Sequence, residues 1–149
     1  AFWGNWDLDL KCKGDLYIDT HHTIEDVGLS LGKAFYKEWS QNKNITRIAY
    51  AFCPLDEALT RVVVDVCNRP NNTFNADFNV EKVGEFETSM TEHFFYSFAQ
   101  ESRITQHIHV LHGKNAHHII ETMFKGLGLA LNRACEITGD ETQSTKGSL

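Results

Sequence analysis

One pattern occurs twice in these 149 residues, and it limits what the chain can fold into more than any other feature. His21-His22-Thr23-Ile24-Glu25 returns as His117-His118-Ile119-Ile120-Glu121, and Leu31-Gly32-x-Ala34 returns as Leu127-Gly128-x-Ala130. Every matched pair lies 96 residues apart (117 − 21 = 96), so the register holds without a gap. Each copy opens a segment of helical period, with Ile24, Val27, Leu31 and Phe35 in the first and Ile120, Phe124, Leu127 and Leu131 in the second. Residues four apart share a helix face, so His21 projects with Glu25 and His117 with Glu121.

Two helices packed in one core can share leucines and glycines for packing reasons alone. Packing does not ask for two imidazoles and a carboxylate in register, because those groups are costly to bury. Neutral imidazole and carboxylate together suit a divalent ion such as manganese or zinc, and metal binding is the better reading of the pair.

A chain of this length is most simply one domain with a sizeable core. A formal charge of −6 argues against a nucleic-acid partner, which calls for a basic face. No apolar run approaches membrane-spanning length and no secretion signal stands at Ala1, so a cytoplasmic protein is expected. Cys12, Cys53, Cys67 and Cys135 form no CxxC pair and read as reduced thiols.

Alternation from Trp6 to Cys12 predicts a half-buried strand, and Asp15 to Asp19 a second short one leading to His21. A long helix to about Trp39 follows, then strands over Thr46–Phe52 and Thr60–Cys67, with the Pro54–Leu59 stretch breaking their pairing. Pro70–Asn75 reads as a loop, Ser89–Glu101 as a helix with Met90, Phe94 and Phe98 on a stripe, and Ile104–Leu111 as a strand. Gly113-Lys114-Asn115 turns into the second His-His helix, and the polar tail from Gly139 is expected to be mobile until something orders it. His93 lies 24 residues before His117, and the same distance before His21 falls at 21 − 24 = −3, ahead of Ala1. The first copy is therefore expected to lack its opening part.

These motifs resemble the imidazoleglycerol-phosphate dehydratases of histidine biosynthesis. The likeness is carried by Gly14-Asp15-Leu16, His21 to Gly28, Pro54-Leu55-Asp56-Glu57-Ala58-Leu59, Asn68-Arg69-Pro70, Gly113-Lys114-Asn115, His117 to Lys125 and Ser144-Thr145-Lys146-Gly147, in that order. It implies an α+β fold of duplicated half-domains, helices on sheets in the manner of ribosomal protein S5 domain 2, over about 1–70 and 71–149, with the first half incomplete. It implies two Mn2+ ions per active site, held by His21, His22, Glu25, His93, His117, His118 and Glu121, and a large homo-oligomer built from trimers with sites at subunit contacts. It places substrate phosphate on Arg47, Arg69, Ser144, Thr145 and Lys146, with Lys125 as a further substrate contact and Glu25 and Glu121 as candidate proton relays. The implied reaction removes water from imidazole glycerol phosphate to give imidazole acetol phosphate.

The chain departs from the family at Trp3, where histidine is usual, at Ser89, where glutamate is usual, and at Gly126 and Leu129. The family's N-terminal segment, with a further metal histidine and an acid/base glutamate, is not in the 149 residues, so the chain alone is expected to be inactive. Two other readings compete: a non-catalytic metal-binding or assembly protein on the same scaffold, and a di-metal hydrolase. His107, His109 and His112 are read as structural or surface residues.

Overall fold

A computed structural model describes every residue except Lys43, Asp140 and Ser148. After a 3-10 turn at Phe2–Gly4, the order is α1 (His21–Trp39), β1 (Ile48–Leu55), β2 (Ala58–Asp65), β3 (Asn71–Asn75), β4 (Lys82–Val83), β5 (Phe86–Glu87), α2 (Met90–Ser102), β6 (Thr105–His112) and α3 (Ala116–Ala134). This is the expected α+β class. The main sheet runs β1-β2-β6-β3, antiparallel except for the parallel β6/β3 edge, and β4 and β5 make a separate small hairpin.

One face of the main sheet is covered. Thr60, Val62 and Val64 of β2 stand opposite Val110, Ile108 and Gln106 of β6, and all but the half-buried Val110 are fully buried beneath α2 and α3. Thr60 and Thr122 satisfy one another at 2.7 Å within that layer. The amide of Gln106 donates to Phe95 O at 2.8 Å and Asn72 Oδ1 at 2.9 Å, tying α2, β6 and β3 together. On the other face Ile48, Tyr50 and Phe52 are exposed, and His107 and His109 stack side by side with centroids 6.2 Å apart.

Several local expectations change. Trp6–Cys12 alternates but forms no strand: neither face is buried and no backbone ladder reaches it among the described residues. Asp15–Asp19 contains a turn rather than a strand. The Pro54–Leu59 stretch does not break the pairing, because Asp56 takes φ 46° and lets a two-residue turn close with Leu55 opposite Ala58. Pro54 is accommodated because β1 is an edge strand. Pro70–Asn75 is a strand in all but its first residue, held by β6, with Phe74 turned inward against Phe95. On α3 the inner face is Ile119, Met123, Gly126 and Ala130, together with the expected Leu127 and Leu131, while Phe124 lies outward against Phe94 and Phe95. The tail is folded back rather than detached, with Leu149 against the core and Gln143 O accepting from Arg47 Nη1 at 2.8 Å.

The contact that places the site is α1 on α2. A Cβ on Gly28 would meet Phe94 O at 3.0 Å, and one on Gly32 would meet Phe98 O at 2.6 Å. The two contacts advance together along both helices, so α1 and α2 run in the same direction and their N-terminal ends lie together. At the far end the Trp39 indole donates to Ser102 O at 2.9 Å. Replacing Gly32 by Ala gains roughly 1 kcal/mol of helix propensity but overpacks a backbone contact, at a cost of ~1–3 kcal/mol. Net destabilisation of Gly32→Ala is the expected outcome in urea unfolding, and equal or greater stability would contradict the close approach.

Candidate metal centre

Each His-His pair begins its helix at a defined stop. Asp19 Oδ1 accepts from His21 N at 2.8 Å, and Asn115 Oδ1 accepts from His117 N at 2.9 Å and His118 N at 3.4 Å. These caps fix where the first turn starts and hence which face the rings take.

His21, Glu25 and His93 converge, with one ligand atom from each lying within 4.8 Å of the others. Glu25 Oε2 is 3.9 Å from His21 Nε2 and 3.8 Å from His93 Nε2, and the two rings lie 4.3 Å apart between centroids. His93 Nε2 is buried without a hydrogen-bond partner. A satisfied core histidine would not leave that nitrogen bare; two imidazoles and a carboxylate around an orphaned nitrogen fit a divalent metal. Counting residues groups His93 with the second copy, whereas packing of α1 on α2 gives it to the first.

In the second copy His117 Nε2 is 3.1 Å from Glu121 Oε2, and no third ligand joins them among the described residues. Lys125 Nζ lies 2.6 Å from the other oxygen of Glu121 and 5.6 Å from the centre of the Trp3 ring. This ammonium, with His117 adding to it, holds the Glu121 carboxyl below its usual range. Lys125 is thus engaged with Glu121.

His22 and His118 pair with other acids. Asp15 Oδ2 lies 2.9 Å from His22 Nδ1, and Glu57 Oε2 lies 2.8 Å from His118 Nδ1. Glu57 Oε1 also accepts from Lys114 N at 3.0 Å and Asn115 N at 2.8 Å. The His118 ring first, then these amides, lower the Glu57 carboxyl to about 2. Neither acid was singled out as a site residue from the sequence. Their signals, a Gly14-Asp15-Leu16 turn before one pair and a Pro54–Leu59 stretch remote from the other, point to a histidine only once the chain is folded.

The expected phosphate residues meet elsewhere. Arg47, Arg69, Ser144, Thr145 and Lys146 line one cleft with Cys67 and Leu149. Arg47 holds φ 70°, an unfavourable backbone conformation for a non-glycine residue, with its N donating to Ala134 O at 2.8 Å and its O accepting from Val66 N at 3.0 Å. Its guanidinium forks onto Asp65 at 2.7 and 3.1 Å, which raises its pKa, and Arg69 reaches the same carboxylate at 3.4 Å.

The Glu57–His118 pair implies a pH dependence. Glu57 is depressed below 4.5, so its contribution is present above that value and lost as pH falls toward about 2. His118 is raised by Glu57, so its contribution is present below 6.5 and lost as pH rises through its higher folded value. With chelator present, the wild type should exceed Glu57→Gln in thermal midpoint between 4.5 and 6.5, and the gap should close toward about 2. A gap unchanged over that range would contradict the pairing.

Residues 1–131 match the family model for imidazoleglycerol-phosphate dehydratase. An imidazoleglycerol-phosphate dehydratase from Methylobacillus flagellatus is 48% identical over 149 residues, spanning 98% of this chain and 75% of its relative. One from Clostridioides difficile is 42% identical, spanning 100% and 78%. Among solved structures, the Pyrococcus furiosus enzyme in complex with (S)-C348 aligns with TM-score 0.83 at 35% identity, covering 99% of this chain and 80% of that one. The Staphylococcus aureus enzyme aligns with TM-score 0.81 at 38% identity, covering 86% and 72%. With this family model over most of its length and these relatives at such identity, the chain belongs to the imidazoleglycerol-phosphate dehydratase family and is a hydro-lyase.

Proposed function

We propose that this protein dehydrates imidazole glycerol phosphate to imidazole acetol phosphate, with manganese, in the cytoplasmic synthesis of histidine. The observation that carries the reading is the His21–Glu25–His93 cluster with its orphaned buried nitrogen, in a member of this family. Residues 1–149 act as a single domain of two repeats, about 1–70 and 71–149.

His21, Glu25 and His93 would hold one ion, and His117 and Glu121 would contribute to another, with His22 and His118 offering their Nε2 atoms from the outer sides of the pairs. Bound there, two Mn2+ ions supply Lewis-acid polarisation of the substrate's ring and hydroxyl without redox change. Glu25 and Glu121 are the carboxylates nearest the reacting atoms in this reading and the candidates for moving a proton. Lys125 keeps Glu121 ionised and oriented. Arg47 and Arg69 present guanidinium donors suited to a phosphate, and Ser144, Thr145 and Lys146 close over it.

The two halves of this machinery stand apart. Arg47 is bonded to Ala134 at the C-terminal end of α3, whereas His117 opens that helix. At about 1.5 Å per residue the separation is roughly 25 Å, far more than one small phosphate ester can span. This supports a site shared between copies, in a homo-oligomer built from trimers, where one subunit's phosphate cleft faces another's histidines.

Two outcomes test the reading. His93→Ala should lower manganese bound per chain and, in the protein extended by the family's N-terminal segment, reduce turnover by more than about 100-fold, since even a group behind a ligand is worth ~10–100-fold. Unchanged metal content and turnover would refute it. Arg69→Ala should change stability by less than about 1 kcal/mol, as befits an exposed pair. It should weaken binding of inorganic phosphate or of the substrate by roughly 10–100-fold, as expected for a charge-assisted hydrogen bond worth ~1.5–3 kcal/mol. Equal affinity in the variant would remove Arg69 from the site.

A further inference from the structure

We propose that Asp15 and Glu57 are positioning residues that fix the tautomer of the second histidine in each His-His pair, leaving the Nε2 lone pairs of His22 and His118 to a metal; the exposed Asp56 Oδ2 lies 3.8 Å from His118 Nε2, beyond hydrogen-bond distance. The inference rests on the reading above that those two histidines are ligands. In both copies the second histidine, and not the first, has a carboxylate on Nδ1, at 2.9 Å for His22 and 2.8 Å for His118. The first histidines, His21 and His117, instead turn Nε2 toward the glutamate one turn later. A carboxylate accepts only, so in the neutral ring Nδ1 must carry the proton and Nε2 the lone pair.

The two acids are not repeat partners. Asp15 precedes His22 by seven residues, and its counterpart at 15 + 96 = 111 is Leu111. The second copy takes its carboxylate from the β1–β2 turn, 61 residues before His118. Shared ancestry of the two copies does not explain one contact made by two unrelated segments. A common demand on the ring does.

The two arrangements differ in rigidity, and the difference makes the idea testable. Glu57 Oε1 is held by the amides of Lys114 and Asn115, so the carboxylate cannot turn over. In Glu57→Gln the oxygen must stay on those amides and the NH2 group must face Nδ1. A donor there forces the proton to Nε2, the nitrogen needed for metal. Among the described residues the Asp15 carboxylate is held by no backbone amide but its own, so in Asp15→Asn the amide oxygen can still face His22.

The experiment uses the full chain, Mn2+ alone as probe, and imidazole nitrogen NMR of the metal-free protein. Glu57→Gln should move His118 from the Nδ1–H to the Nε2–H tautomer and weaken Mn2+ binding by about 10–100-fold. Asp15→Asn should keep the His22 tautomer and weaken binding less. Glu57→Asp, which restores an acceptor, should keep the His118 proton on Nδ1. A purely structural role for Glu57 would alter stability without the tautomer shift, and that result overturns the proposal. Wild-type Mn2+ affinity in Glu57→Gln alongside weakened binding in His118→Ala overturns the positioning role alone. Wild-type affinity in His118→Ala removes the ligand reading, and the proposal with it.

Discussion

The close approach of α1 to α2 is the contact on which the His21–Glu25–His93 cluster depends. Gly28 and Gly32 let two helix backbones meet where any side chain would hold them apart. Because the helices run the same way, the approach brings the first residue of α1 and the first turn of α2 to one end. His21, Glu25 and His93 then need only ordinary helix geometry to converge. Remove the glycines and the histidines remain in the sequence but separate in space. Neither glycine touches the cluster, yet both set the distance across it.

At the starts of α1 and α3 the same problem is solved with different parts. Asp19 satisfies the first amide of α1, and Asn115 satisfies two amides of α3. Glu57 then grips the amides just before α3 with one oxygen and His118 with the other. Turn, cap and ring are tied together by these bonds in the second copy. In the first copy Asp15 holds the ring and its own backbone amide but no amide of α1, within an exposed segment that packs little of its own apolar surface.

Periodicity carried the helices well, since the first His-His residue and Trp39 bound α1 as read, α2 lies within a residue of expectation at both ends, and α3 starts within one residue of its His-His pair. It carried strands only where a neighbour exists to complete them. Trp6–Cys12 has the alternation of a strand and no ladder, whereas Asn71–Asn75 has the composition of a loop and a parallel ladder supplied by β6. Alternation is local; pairing is not. The grouping of His93 failed for the same reason, because sequence offset measures position along the chain, and helix packing decides which ring meets which carboxylate. Asp15 and Glu57 lay beyond residue counting altogether. Glu57 sits 61 residues from the histidine it holds and reaches it only because β1 and β2 close in a two-residue turn beside the start of α3.

The arrangement along α3 has a further physical consequence. The same helix carries a carboxylate-rich, histidine-rich end and, about 25 Å away by helix rise, an end fastened to the arginine cleft. Asp65 stands under both arginines, so the cleft is not a naked cationic patch. Arg47 is pinned by two bonds to Asp65 and one to Gln143 O, while Arg69 holds Asp65 more loosely and remains open to solvent. On the proposed phosphate role, an anion entering the cleft would meet one arginine already oriented and one free to turn. In the proposed reaction, a substrate held by metal at its ring and by guanidinium at its phosphate would meet both only where the two ends of different copies face each other. On that proposal substrate binding would be tied to assembly: a lone chain would offer each half of the recognition, and association would bring them within reach of one molecule.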